Sequence, residues 1–210
     1  MIIILARHGN TFNPGDKVCR VGKRNDLPLT TQGIAQAEIF ADALINKSLT
    51  PCAIYCSPLQ RTQKFAQTII NKMNLDIVPQ VQESLNELDY GNWSGLTDEE
   101  VNARFSGELT AWKEKSAWPQ KSGWPEREED VIGSVKHFIQ NLLDQHSSDD
   151  TVLIVSSCGR LRYFLKLVDG AFEEVLGCKG VNVKTGNACK ISYQNGKFKI
   201  DLWNVKPAEL

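Results

Sequence analysis

No apolar run in this chain approaches the roughly 20 residues needed to cross a bilayer, which excludes a membrane-spanning helix. Charge of one sign is missing as well: 24 Lys and Arg face 25 Asp and Glu. General nucleic-acid and membrane-surface binders carry a basic excess or a basic stripe, so neither kind of partner is expected. Histidine is scarce, at three residues far apart in sequence, and the six cysteines include no CxxC pair. That pattern offers no zinc-ligand spacing and no secreted disulfide framework. No metal and no cofactor are implied, and the cysteines are expected to be reduced residues of core or loop. The apolar start, Met1 to Leu5, is too short for a signal peptide and has no basic leader, so the expected location is the cytoplasm. Nor is there a repeat, a low-complexity tract or a linker that would divide the chain.

What is present suits an ordinary globule. A hydrophobic share of 41% in 210 residues is enough to bury one proper core, so a single domain over 1–210 is expected. Ile2 to Leu5, Cys52 to Cys56 and Thr151 to Val155 are short, continuous apolar runs. They have the pattern of strands buried on both faces of a parallel sheet, and Ile77 to Val81 is a further candidate strand. Helical spacing follows Thr30, an available N-cap, through Ile34, Ala37, Ala41, Leu44 and Ile45. A second helix is expected to open at Ser57-Pro58, with the serine as N-cap and the proline in its first turn. Helices are also expected through Val131 to Leu143 and from Gly159 to Val168. Two tail strands flank Asn195-Gly196, a strong hairpin signal. Between Asn86 and Pro125 the pattern loosens and tryptophans accumulate, which suggests a small inserted cap over about 86–126. Strands alternating with helices imply an α/β three-layer sandwich, a mostly parallel central sheet with helices on both faces. Its antiparallel tail and open sheet edges would permit a homodimer.

In such a sheet, ligands bind beyond the carboxyl ends of the strands. Three strand exits carry unusual residues: Arg7-His8-Gly9-Asn10-Thr11, Ser57-Pro58-Leu59-Gln60-Arg61 and Ser156-Ser157-Cys158-Gly159-Arg160. Arg61 falls in the first turn of its helix, where a cation opposes the helix dipole and a bound anion would resolve the conflict. Taken alone, it could equally snorkel to solvent or pair with a carboxylate. Arg7 offers a second planar fork suited to phosphate oxygens. A lone histidine is more often structural than catalytic. Set between two phosphate-holding arginines, a neutral His8 would be a reasonable nucleophile for phosphoryl transfer. Glu87, in a loop after the third candidate strand, would be driven toward its protonated form beside a bound phosphate and could protonate a leaving alcohol. It could also be an ordinary surface glutamate.

At this level of detail the chain resembles the histidine phosphatase superfamily, which includes cofactor-dependent phosphoglycerate mutase. The resemblance rests on Leu5-Ala6-Arg7-His8-Gly9-Asn10-Thr11 with Asn13, and on Asp26-Leu27-Pro28-Leu29-Thr30 before Gly33. It continues through Cys56-Ser57-Pro58-Leu59-Gln60-Arg61-Thr62, through Glu87-Leu88-Asp89-Tyr90-Gly91-Asn92-Trp93-Ser94-Gly95-Leu96-Thr97, and through Val152-Leu153-Ile154-Val155-Ser156. It implies a phosphoglycerate mutase-like fold and a phosphate pocket of Arg7, Asn13 and Arg61. His8 would be the nucleophile that forms a phosphohistidine, and Glu87 the proton donor and later base. The mutases would place a basic residue and a histidine after the glutamate, where this chain has Leu88 and Asp89, and they have a longer mid-chain insertion. A phosphomonoester hydrolase acting on a small phosphorylated substrate is therefore expected, with mutase activity the remoter alternative.

One position departs from the pattern. Where the family has Ser-His-Gly, this chain has Ser156-Ser157-Cys158. A serine hydroxyl at 157 can still bind substrate through a hydrogen bond but brings no positive charge. Losing one such transition-state contact costs about 2.7–4 kcal/mol, or roughly 10²–10³ in rate. The expected alternatives are thus an attenuated phosphatase and an inactive pseudophosphatase that binds phosphate esters or protein partners. His146 ends the helix before the 151–155 strand and belongs at the opposite edge of the sheet, roughly 17 Å away at about 3.3 Å per residue. His137 sits mid-helix beside Phe138. Neither can replace the missing histidine. Cys158 lacks the arginine six positions on that a cysteine phosphatase needs, since position 164 is Phe164. It is expected to fill a small-residue position near the ligand. The tryptophans are expected mainly to pack the cap. If Trp118 or Trp124 faced the pocket, the substrate would carry an apolar or aromatic group.

Overall fold

In the computed structural model, which describes residues 1–178 and 180–210, the apolar runs become the centre of one sheet. Strands β1 (Ile2–Arg7), β2 (Ala53–Cys56), β3 (Gln80–Val81), β4 (Thr151–Ser156), β5 (Ala188–Gln194) and β6 (Lys197–Val205) lie in the order β3-β2-β4-β1-β5-β6. The first four are mutually parallel, with Leu5 opposite Ile154 and Tyr55 opposite Ile154 on its other side. The tail hairpin β5–β6 adds antiparallel to β1. Its turn puts both Asn195 (φ 51°) and Gly196 (φ 77°) in the left-handed region, as a two-residue type I′ turn requires.

Side chains alternate across the sheet and separate two cores. Ile4, Ala6, Ile54, Cys56, Leu153 and Val155 face α1 (Thr31–Asn46) and α2 (Gln60–Met73). Ile3, Leu5, Tyr55, Val152 and Ile154 face α5 (Glu128–Gln145) and the aromatic cluster. The helix α1 starts where expected, because the Thr30 side chain accepts the Gly33 N–H at 3.1 Å. All six cysteines are free; burial pushes the Cys56 and Cys189 thiols up to about 11 and about 12, which makes them inert core groups.

Some expectations need correction. Helix α2 begins at Gln60, and Ser57 is not its N-cap. Ser57 Oγ instead bonds Thr62 Oγ1 at 2.7 Å and accepts from Leu59 N, tightening a turn that leaves Pro58 ahead of the helix. The third strand shrinks to Gln80–Val81 at the sheet edge, and Val78 is exposed; short edge strands limit unwanted pairing. The helix expected from Gly159 to Val168 is one α turn, α6 (Cys158–Leu161), followed by a 3₁₀ segment over Arg162–Leu167. Leu161, Tyr163, Phe164 and Leu165 are all fully buried, so the segment has no solvent face to give it an amphipathic period. A helix without a strong sequence signal, α7 (Ala171–Cys178), stacks Phe172 on Tyr163.

The stretch after β3 holds two short 3₁₀ segments, α3 (Asp98–Arg104) and α4 (Glu108–Lys115). Helix α3 is entered through a capping box between Thr97 and Glu100. Trp124 is the hub of its packing, with ring centroids 5.1 Å from Tyr90, 5.1 Å from Trp93, 5.0 Å from Trp112 and 4.9 Å from Trp118.

The α1–α2 core turns on Phe65, fully buried and edge-on to Phe40 at 5.9 Å. Phe65→Ala should destabilise the fold by about 3–5 kcal/mol in urea unfolding. A loss under about 1 kcal/mol would show that this core is not packed as described.

Candidate active site

A cavity of about 950 Å³ opens at the carboxyl ends of β1, β2 and β4. Arg7, His8, Asn13, Arg61 and Glu87 all line it, so the structure brings these sequence-identified residues together. Loop residues from the first strand exit reach the site because two backbones touch. A Cβ on Gly9 would lie 2.3 Å from the Gly33 carbonyl oxygen, and one on Gly33 would lie 2.3 Å from that of Asn10. Only glycine permits that contact between the exit of β1 and the start of α1.

His8 is nearly out of water, at 6% exposure. Its Nδ1 lies 2.8 Å from its neighbour's carbonyl oxygen, Gly9 O, an acceptor, so Nδ1 carries the proton. The Nε2 lone pair is then free and accepts from Arg61 Nε at 3.2 Å. Burial first, then the Arg7 and Arg61 charges, hold the imidazole well below its ordinary value of 6.5. The ring is therefore neutral and oriented, with its basic nitrogen at Nε2.

Arg61 is almost fully buried, and its outer nitrogens donate to the carbonyls of Gly22 and Asn25, each at 3.0 Å. Burial pushes this guanidinium down from its ordinary value, while Glu87 and Asp26 oppose that trend. The anion expected at the start of α2 is in part the protein's own: Asp26 Oδ1 accepts from Gln60 N at 2.9 Å and lies 3.9 Å from Arg61. Arg7 donates through Nη1 to Val183 O at 2.7 Å, and its buried Nε has no partner among the described residues. Asn13 is exposed at the cavity mouth.

Glu87 is buried, not the surface glutamate that it could have been. Its Oε1 accepts from Leu88 N at 2.8 Å and its Oε2 from Gly159 N at 3.3 Å. A Cβ on Gly159 would come within 2.4 Å of Glu87 Oε1, so this glycine leaves the room that the carboxylate occupies. Arg160, from the same strand exit, donates to Asn86 O at 2.8 Å and steadies the Glu87 loop.

Ser157 is not among the residues that line the cavity. It is 1% exposed, and its Oγ has no hydrogen-bond partner among the described residues. Cys158 does line the cavity, with Sγ 3.4 Å from Asn182 Oδ1. As expected, Trp118 and Trp124 pack in the aromatic cluster and do not line the cavity, whereas Trp112 does. His146 sits at the far end of β4, hydrogen-bonded to Tyr55, and His137 is exposed on α5 beside Asn141.

Sequence reasoning missed Arg162, a lining residue only 3% exposed. Its partners are uncharged: Asn182, Ser116 and the Trp112 face, 4.0 Å from the guanidinium carbon. Its Nε has no partner among the described residues. The available signal was a cation inside the apolar run Leu161 to Leu165. The arrangement can hold an anion against a neutral imidazole, with a carboxyl group beside it.

Comparison with known proteins places this geometry. The profile of the histidine phosphatase superfamily (branch 1) matches residues 3–206. Phosphoserine phosphatase 1 of Hydrogenobacter thermophilus is 32% identical over 155 residues, covering 73% of this chain and 69% of that protein. A 2,3-bisphosphoglycerate-dependent phosphoglycerate mutase of Methylobacterium sp. (strain 4-46) is 28% identical, covering 88% of each chain. A mycobacterial glucosyl-3-phosphoglycerate phosphatase solved with VO3 superposes with a TM-score of 0.82 over 98% of this chain and 99% of that one. At 23% identity, that last likeness is one of fold.

His8 should titrate below 6.5 in the ligand-free protein, because protonation puts a buried cation between Arg7 and Arg61. As pH falls through about 6.5, an unfolded chain takes this proton first, so His8 should contribute a loss of stability toward acid. NMR titration of the His8 ring checks this; a midpoint at or above 6.5 would contradict it.

Proposed function

This chain belongs to the histidine phosphatase superfamily, and from that membership we propose that it hydrolyses a small phosphate monoester through a phosphohistidine on His8. The observation that carries the reading is the state of His8: buried, neutral, with Nδ1–H fixed on Gly9 O and Nε2 left as a lone pair. As substrate enters, Arg61 Nε–H exchanges Nε2 for a phosphate oxygen, and Arg7 Nε gains the partner it lacks. Nε2 then forms a bond to phosphorus while the ester P–O bond breaks. The leaving oxygen takes its proton from the Glu87 carboxyl group. In the second half, water attacks phosphorus, Glu87 takes a proton from it, and the P–Nε2 bond breaks to restore His8. Asn13 contacts the phosphate from the mouth, and Arg162 with Trp112 meets the rest of the substrate.

Hydrolysis is favoured over mutase chemistry by the residues after Glu87. Leu88 is fully buried, and Asp89 is buried and paired with Arg24 at 2.7 Å, so neither offers a basic group to a second substrate. A single observation favours a second reading, the pseudophosphatase: Ser157 Oγ is buried, uncharged and without a partner among the described residues. Ser157 attenuates turnover by about 10²–10³ by supplying a hydroxyl where the family places an imidazole.

Phosphate release from an aryl phosphate, measured on this protein, Ser157→His and His8→Ala, decides between the two. Hydrolysis predicts a gain of at least about 10²-fold for Ser157→His and no turnover for His8→Ala. Unchanged turnover in His8→Ala, or none in any form, would remove the hydrolase reading. Glu87→Gln should cost about 10²–10⁴-fold in kcat/KM, which reports formation of the phosphohistidine, on an alkyl phosphate and far less on an aryl phosphate, whose leaving group needs little proton help. Equal losses on both would argue against Glu87 as the proton donor.

A further inference from the structure

At the amino ends of β2 and β4, away from the cavity, three side chains with metal-binding atoms meet. Cys52 precedes β2, His146 follows α5, and Asp150 precedes β4. His146 Nδ1 lies 3.7 Å from Cys52 Sγ and 3.6 Å from Asp150 Oδ2, and the three ligand atoms all fall within 4.8 Å of one another. A tetrahedral zinc with Zn–S near 2.3 Å and Zn–N near 2.0 Å sets sulfur and nitrogen about 3.5 Å apart. The trio already stands close to that spacing.

The rest of the imidazole is arranged as for a ligand. Tyr55 Oη is 2.8 Å from His146 Nε2 and 3.3 Å from Gln145 Oε1. With the phenol donating to Gln145, it accepts the Nε2 proton, and the Nδ1 lone pair points toward Cys52 and Asp150. An outer-shell oxygen that orients a ligating histidine in this way is the usual support of such sites. The backbone holds the other two: Cys52 N donates to Thr151 O at 2.9 Å, and Ser147 N donates to Asp150 Oδ2 at 2.8 Å. A single metal ion would engage all three groups together.

We propose that Cys52 Sγ, His146 Nδ1 and a carboxylate oxygen of Asp150 bind one Zn²⁺, with the fourth position taken by water. On binding, the Cys52 thiol loses its proton to solvent, the S–Zn bond forms, and no electron changes hands. The ion clamps the turn after α5 to the start of β2, at the end of the sheet opposite His8. The site is independent of the phosphatase reading, so its test does not use turnover.

The test titrates the full chain, stripped of metal by a chelator, with Co²⁺ and then Zn²⁺, following the absorption spectrum. One equivalent of Co²⁺ should give tetrahedral bands and a thiolate charge-transfer band, both removed by Zn²⁺. Cys52→Ser, at an exposed position, should lose the charge-transfer band while keeping its circular dichroism. His146→Ala should lose stoichiometric binding, and Tyr55→Phe should keep it with about 10–100-fold weaker affinity. If His146→Ala does not fold, Asp150→Asn serves in its place and should weaken binding. No saturable binding at micromolar Zn²⁺, an octahedral spectrum without the thiolate band, or a band that persists in Cys52→Ser would each overturn the proposal.

Discussion

Strand β1 cannot shift. It is bonded to β4 on one side and β5 on the other, and Ile3 to Ala6 are wholly removed from water on both faces. A one-residue slip would move every apolar side chain into the opposite core. Everything at the carboxyl end of the sheet inherits this rigidity. Arg7 and His8 leave the strand at a defined height, and Gly9 lets the exit pass against Gly33 at the start of α1. Arg61 then arrives from α2, which packs on α1 across the same core. A nucleophile needs such a platform, because misplacement by about 1 Å can cost about 10²-fold in rate.

On that platform the electrostatics are one-sided. Burial, reinforced by two arginine charges, keeps the imidazole neutral, and a third arginine, Arg162, is buried among uncharged partners. Uncompensated buried charge is costly, so the cavity is built to receive an anion. Glu87 takes its hydrogen bonds from backbone N–H groups, while its charge favours the cationic forms of Arg61 and Arg160 nearby. Ser157 stands apart as a buried hydroxyl without a hydrogen-bond partner among the described residues.

Much of this was legible because it depends on local pattern. Continuous apolar runs identified β1, β2 and β4, and Asn195-Gly196 identified the hairpin. The order of strand exits grouped Arg7, His8, Arg61 and Glu87. What failed depended on contacts between distant segments. Ser57 looks like an N-cap, but Thr62 competes for its hydroxyl and delays the helix. Trp112 was not singled out for the cavity, because nothing local separates it from the tryptophans that pack against one another. Arg162 was hidden inside an apolar segment.

By itself the sequence determined the α/β class, the central strands and the residue types that gather at the cavity, since these follow from period, burial and chemical type. Only the tertiary structure decided which nitrogen of His8 is free, that Ser157 is buried, and that Trp112 and Arg162 line the cavity. Only there, too, do Cys52, His146 and Asp150 become neighbours. Directional contacts such as these are made across long loops, where spacing in the chain says nothing about distance in space.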